Sequence, residues 1–235
     1  GVFQFNVVPN LRELALENCN IQTLKTDSFL GLSSLEFLKL DGSQIVNLET
    51  ASFGGLTNVK NLSLAHCVGL SSIPIEALYG CEALESIDLT YALADPKRSS
   101  SEMHLGVFVP GGADSPSPLA HMKVVNLTGA LRHFPDPMER LYLEYMPILE
   151  TLDVSANNIK GWNETKFVGV NPNLTTLIIN HNEGTISLTS AMILDFRQLR
   201  VLDMLHGKFF CNDQVLEFYK MAEQGLLEVI GWNEG

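Results

Sequence analysis

Leucine and other apolar residues recur along the chain in the pattern L-x-x-L-x-L. The first copy consists of Leu11, Leu14 and Leu16. Further copies start at Leu35, Val59, Leu84, Met122, Leu149, Leu174 and Leu199. The spacings between the starts are 24, 24, 25, 38, 27, 25 and 25 residues. Self-similarity at a nearly constant period of this length predicts a repeat protein.

The last two leucines of each copy lie on one face of a short strand, because side chains alternate along a strand with period two. One copy cannot bury its own apolar side chains, so neighbouring copies have to stack. The predicted fold class is α/β: a curved leucine-rich repeat solenoid with short parallel strands on the concave face and an irregular or short-helical convex side. An amphipathic helical protein would need apolar spacings of three and four throughout, which the repeats exclude.

The full unit, L-x-x-L-x-L-x-x-N/C-x-I-x-x-L-x-x-x-x-F-x-x-L, is clearest in residues 11–83 and 149–199. It resembles the typical repeat of animal extracellular proteins. The irregular spacing, the insertion and the ending resemble a Toll or Toll-like receptor ectodomain. This resemblance implies about eight repeats in residues 1–207 and a C-terminal capping segment in 208–235. Phe210 and Cys211 match the start of that family's cap, whereas Asp213 stands where the family has its second cysteine.

The charge limits the possible partners of the protein, and the repeat type indicates its compartment. A net charge of −12 and a pI near 4.8 argue against nucleic acid, whose phosphates need clustered lysine and arginine. We therefore expect a protein ligand or another receptor chain. The repeat type implies the secretory pathway and an extracellular or cell-surface location. No run of 18 uncharged apolar residues occurs, so a membrane would be reached only through a segment outside this chain. Because residues 1–5 resemble the end of a preceding repeat, we expect a piece of a longer protein.

Three of the four cysteines occupy repeat positions that do not favour disulfides. Cys19 and Cys67 hold the same slot two repeats apart, which places them about 10 Å apart, beyond the roughly 7 Å that a disulfide spans between alpha carbons. Cys81 aligns with the buried Leu56. All three are predicted to be small core residues with inert thiols. Only Cys211 is left to bond elsewhere, and no metal site is predicted.

Four N-x-S/T sequons, at Asn61, Asn126, Asn163 and Asn173, predict N-linked glycans on outward positions and no other cofactor. Asn126 lies between the strand residues Val125 and Leu127. A glycan there would obstruct the middle of the concave face. A protein partner would then prefer a lateral surface or one end of the arc.

The 38-residue spacing exceeds the preceding one by about 13 residues. The surplus lies near residues 95–118, which are rich in proline, serine and glycine, and this predicts a loop that leaves the solenoid. Lys97 and Arg98 in this loop are interpreted as a solvated basic pair rather than a processing site.

The repeat register also predicts which side chains form a column on the concave face: Ala15, Lys39, Ser63, Asp88, Asn126, Asp153, Ile178 and Asp203. The binding candidates on this face are Phe37, Lys39, Asp88, Tyr91, Asp153 and Asp203. Asp153 and Asp203 are two repeats apart and open to water, so they are unsuited to paired-carboxylate catalysis. The common catalytic motifs are absent from the sequence, and no enzyme is predicted.

The sequence therefore predicts an extracellular protein-binding module. The resemblance points to the ligand-recognition ectodomain of a Toll-like innate-immune or developmental receptor. The alternative is a cell-adhesion or extracellular-matrix protein built from the same repeats, since fold alone does not determine function.

Overall fold

The computed structural model describes residues 8–93, 108–109, 117–131, 143–157, 159, 172–182, 185–186, 198–209 and 215–231. In chain order the strands are β1 (Glu13–Ala15), β2 (Thr23–Leu24), β3 (Phe37–Lys39), β4 (Asn47–Leu48), β5 (Asn61–Ser63), β6 (Ile73–Pro74), β7 (Ser86–Asp88), β8 (Phe108–Val109), β9 (Val124–Asn126), β10 (Thr151–Asp153), β11 (Thr176–Ile178), β12 (Thr185–Ile186), β13 (Val201–Asp203), β14 (Lys208–Phe209) and β15 (Glu228–Ile230). Short 3-10 turns span Ile75–Leu78 and Leu143–Tyr145, and helix α1 spans Val215–Glu223.

Nine of the described strands form one parallel sheet in the order β1-β3-β5-β7-β9-β10-β11-β13-β15. Each repeat start found in the sequence supplies one of these strands. The pairs β2-β4, β6-β8 and β12-β14 form three separate two-stranded sheets. The predicted α/β leucine-rich repeat solenoid is thus confirmed.

The core is a continuous layer beneath the sheet. In the main sheet, the central residue of each strand from β3 to β13 is buried, as are the leucines or equivalent residues that follow these strands. Leu14 and Leu16 are only half-buried, because β1 pairs with a described strand on one side alone. The stacked repeats therefore bury apolar surface cooperatively, at about 25 cal/mol per Å².

The cysteines follow the same gradient of burial. Burial raises the pKa of Cys67 to about 11 and that of Cys81 to about 12, which makes both thiols poor nucleophiles. Cys19 is also free, but it is half-buried rather than a core residue because it belongs to the first described repeat. Cys211 lies outside the described residues.

Two residues of the insertion return to the solenoid. Phe108 is completely buried, and β8 pairs with β6. The prediction that residues 95–118 leave the solenoid is therefore wrong at Phe108 and Val109. Ala92 and Phe108 correspond to Cys67 and Ile73 of the preceding repeat. The first two are 16 residues apart and the second two are 6 apart, so 16 − 6 = 10 surplus residues precede Phe108. The Lys97–Arg98 pair lies outside the described residues.

The segment predicted as a cap contains both a helix and a further strand. Phe218 of helix α1 is buried, and β15 pairs with β13 in the main sheet. Strand β15 does not follow from the repeat pattern, because Gly231 stands where other repeats have the last leucine. No described helix is long and apolar enough to cross a membrane. The domain boundary at residue 207 stays a prediction.

Ser52 provides a test of the packing beneath the convex turns. Its hydroxyl is buried and makes no hydrogen bond, whereas the equivalent Ser28 hydroxyl donates to the Lys25 carbonyl at 2.7 Å. The next repeat has Ala77 at this position. Since a buried unpaired hydroxyl costs about 1–3 kcal/mol, we expect Ser52→Ala to raise the free energy of unfolding by about 1 kcal/mol, as measured with urea. The matched Ser28→Ala should lower the free energy of unfolding, because it removes a hydrogen bond. A loss of stability in Ser52→Ala would contradict the conclusion that the Ser52 hydroxyl is unpaired.

Candidate binding surface

One column of side chains runs across the middle of the sheet. The strand register aligns Ala15, Lys39, Ser63, Asp88, Asn126, Asp153, Ile178, Asp203 and Ile230. We call these residues the central column. It reproduces the column predicted from the repeat register and extends it by Ile230. Each member is half-buried or exposed, and the members from Lys39 to Asp203 lie between buried neighbours, which leaves the column accessible along its length.

Most polar members of the central column are held by hydrogen bonds to the backbone two residues on. The Oδ1 atoms accept from backbone N–H groups in three consecutive cases: Asp88 from Thr90 at 2.9 Å, Asn126 from Thr128 at 3.0 Å and Asp153 from Ser155 at 2.8 Å. The hydroxyl of each partner donates to the same oxygen. Short polar side chains favour this local turn. The carboxylates of Asp88 and Asp153 and the amide of Asn126 are therefore fixed in orientation, whereas the sequence alone indicated only an open, solvated column.

Asp203 is held at both oxygen atoms. Its Oδ1 accepts from the Leu205 N–H at 3.0 Å, and its Oδ2 accepts from the Asn180 side-chain amide at 2.8 Å. Ile178 and Ile230 flank it on the neighbouring strands, and Ile230 is 37% exposed. The C-terminal part of the column thus alternates oriented carboxylates with accessible aliphatic side chains.

The N-terminal binding candidates lie far from this part. Phe37 is 42% exposed on β3 between Glu13 and Asn61, and Lys39 is exposed on the same strand. Strands β3 and β13 are six steps apart in the sheet order, which corresponds to about 29 Å at the usual strand spacing. The structure therefore does not combine all the predicted candidates into one site.

Tyr91 lies in the turn that follows β7. Its ring stacks on His66 with centroids 5.5 Å apart and covers Gly129, where an added Cβ would lie 2.3 Å from the ring. Tyr91 and His66 both have positive φ. In each of the first eight repeats, the residue three positions after the central-column residue has positive φ, and these two residues are examples. Sequence reasoning missed His66, although this fixed offset was available as a signal.

The charged side chains that precede the strands pair with each other. Glu36 contacts Arg12 at 3.0 Å and Lys60 at 3.2 Å, and Glu85 contacts Lys123 at 3.1 Å. Such exposed pairs contribute little to stability. Their charges compensate locally. The surface formed by the residues that precede the strands therefore offers a partner less net charge than the central column.

The described sequons occupy different surfaces. Asn61 and Asn126 lie on the concave face, in β5 and β9, while Asn173 is exposed in the turn before β11 and donates to the Pro147 carbonyl at 3.3 Å. Two glycans, not one, would therefore stand on the concave face. Asn163 lies outside the described residues.

Comparisons with known proteins agree with this architecture. The leucine-rich repeat family model matches residues 9–68. The leucine-rich repeat-containing G-protein coupled receptor 5 of Rattus norvegicus is 27% identical over 214 residues, which cover 90% of this chain and 20% of that receptor. The chain thus spans one fifth of the length of this relative.

Two solved structures share the fold. The TLR13–ssRNA13 complex has a TM-score of 0.62 at 19% identity, and the match covers 98% of this chain and 38% of that one. Toll in the Drosophila Toll–Spatzle complex has a TM-score of 0.53 at 18% identity, with 86% and 27% covered. The first of these structures contains TLR13 with ssRNA13, and the second contains Toll with Spatzle.

Proposed function

Because this chain is a leucine-rich repeat protein that resembles Toll ectodomains, we propose that it is the ligand-recognition part of an extracellular receptor of the Toll type. Such a receptor acts in innate immunity or development. We further propose that it binds a basic protein ligand through Asp153, Ile178, Asp203 and Ile230, which we call the C-terminal concave surface. The observation that carries this proposal is the alternation of oriented carboxylates and accessible aliphatic side chains on four adjacent strands.

The charge of this surface favours a basic partner. Neither Asp153 nor Asp203 forms an ion pair with another described residue, and the whole chain carries a net charge of −12. Lysine or arginine side chains of a ligand would pair with the two carboxylates without first breaking an internal salt bridge. The association rate should fall with ionic strength, because charge complementarity mainly accelerates encounter.

The aliphatic residues supply the apolar contact that a protein interface needs. Ile178 is half-buried and Ile230 is exposed, so a partner would complete their burial. Glycans on Asn61 and Asn126 would stand on β5 and β9, outside these strands. A glycan on Asn173 would stand on the lateral edge beside β11. Of the C-terminal concave surface, Asp153 lies beside the Asn126 sequon, whereas Ile178, Asp203 and Ile230 lie at least two strands from both described concave-face sequons.

Asp153→Asn tests this surface with a glycan placed on it. The new asparagine completes a sequon with Ser155, and Asn126 shows that asparagine supports the same turn. In secreted protein from animal cells, we expect the added glycan to weaken ligand binding by at least about tenfold, or 1.4 kcal/mol. Binding would be measured by biolayer interferometry, after a panel of secreted and cell-surface proteins has been screened with the parent chain.

Asp88→Asn is the matched control. It completes an equivalent sequon with Thr90 and preserves an equivalent turn, but it lies outside the C-terminal concave surface. Its binding should equal that of the parent. Peptide:N-glycosidase F leaves aspartate at the released site, so treatment should restore binding of the Asp153 variant to that of equally treated parent. Equal losses in both variants, binding of RNA alone, or no binder in the panel would contradict the proposal.

A further inference from the structure

Phe37 and Asn61 form a pair that the proposed ligand surface does not use. They are register partners on the adjacent parallel strands β3 and β5. Neighbouring strands are about 4.8 Å apart, and paired residues project from the same face of a sheet. The exposed ring of Phe37 therefore lies directly beside the asparagine of the Asn61-Leu62-Ser63 sequon.

The amide of Asn61 is available for attachment. No side-chain hydrogen bond joins Asn61 to another described residue. In contrast, the amide nitrogen of Asn173 donates to the Pro147 carbonyl, and the amide oxygen of Asn126 is held in the turn with Thr128. Of the three described sequons, the one at Asn61 thus combines an unengaged amide with a neighbouring aromatic ring.

We propose that Asn61 carries an N-linked glycan whose first N-acetylglucosamine packs on the ring of Phe37. One face of this sugar presents C–H groups, which carry partial positive charge and contact the negative face of an aromatic ring favourably. The contact removes part of an exposed apolar side chain from water. It also orders the glycan over β3 and β5, which covers the N-terminal part of the concave face.

This assignment rests on the proposed secretory route, because N-linked glycans are added there. Mass spectrometry of glycopeptides from the secreted chain should show Asn61 occupied. Modification at Asn173 together with unmodified Asn61 would overturn the present inference alone. A chain that is secreted from animal cells without any glycan would instead contradict the proposed extracellular function.

NMR with an isotope-labelled glycan tests the stacking itself. Ring currents of Phe37 should shift signals of the first sugar at Asn61 upfield, and Phe37→Leu, which keeps an apolar side chain but removes the ring, should abolish these shifts. Signals of the sugar at Asn173 serve as the internal reference, since they should not change. Sugar shifts at Asn61 that are the same in both proteins would overturn the proposal.

A thermal unfolding cycle gives a second readout. Asn61→Gln removes the glycan and should lower the Tm by roughly 2–4 °C, the shift that about 1 kcal/mol produces in a chain of this size. In the Phe37→Leu background the same substitution should leave the Tm unchanged. An equal loss in both backgrounds would show that the glycan acts without the ring.

Discussion

Replacing Asn182 with alanine is expected to lower the free energy of unfolding by about 3–5 kcal/mol. Its buried Oδ1 accepts from the backbone N–H groups of Asn157 and Ile159 at 3.0 and 3.1 Å, and its Nδ2 donates to the Ile179 carbonyl at 2.8 Å. Alanine would leave these backbone groups unpaired in the core. Urea unfolding of the full chain, followed by circular dichroism, measures the loss.

Asn180→Ala is the control for this result. Asn180 is half-buried, and its side-chain amide donates to the half-buried carboxylate of Asp203. Because water can replace that partner, the control should lose no more than about 1 kcal/mol. Similar losses in the two variants would show that Asn182 does not support the turns. The neighbouring Asn157 bonds the Leu131 N–H and the Leu127 carbonyl in the same way, so the turns of adjacent repeats form a connected ladder.

Truncating Phe108 to alanine should also be costly, by about 3–5 kcal/mol in the same assay. Its ring is completely buried at the position that Ile73 fills in the preceding repeat. Removing it would leave a cavity between two repeats that the surrounding residues cannot fill without moving. The result would establish that the insertion is anchored in the core at this point.

The matched control for Phe108→Ala is the exposed phenylalanine of the sheet. Phe37→Ala, made in an Asn61→Gln background so that no glycan contributes, should cost less than about 1 kcal/mol. A Phe108→Ala protein as stable as this control would mean that residues 108 and 109 do not belong to the solenoid.

The central column could be predicted because it follows from the repeat period alone. Once Leu11 and its equivalents are aligned, the residue between the last two leucines of each copy has to face away from the core. The repeat that supplies β15, by contrast, was not found. Its last leucine position is Gly231, which has a φ of +84° and whose added Cβ would lie 2.5 Å from Leu205. A close backbone contact there replaces the apolar signal that the pattern requires.

The state of the column residues could not be predicted in the same way. The sequence around Asp88 and Asp153 does not distinguish a fixed carboxylate from a solvated one. Each has a threonine or serine two positions later, which is able to form the turn but does not guarantee it. Whether such a pair forms a turn depends on the backbone at the end of the strand, and that backbone is set by the hydrogen bonds to the adjacent repeat.

By itself, the sequence determined the solenoid, the direction that the residues of the eight repeat strands face, and a separation between Cys19 and Cys67 that is too large for a disulfide. Each of these depends only on a repeated spacing and on the distance between stacked strands. The tertiary structure alone decided that Phe108 returns to the core and that β15 extends the sheet. These outcomes depend on contacts between different repeats, and such contacts follow from how far an insertion reaches and which side chains meet across strands.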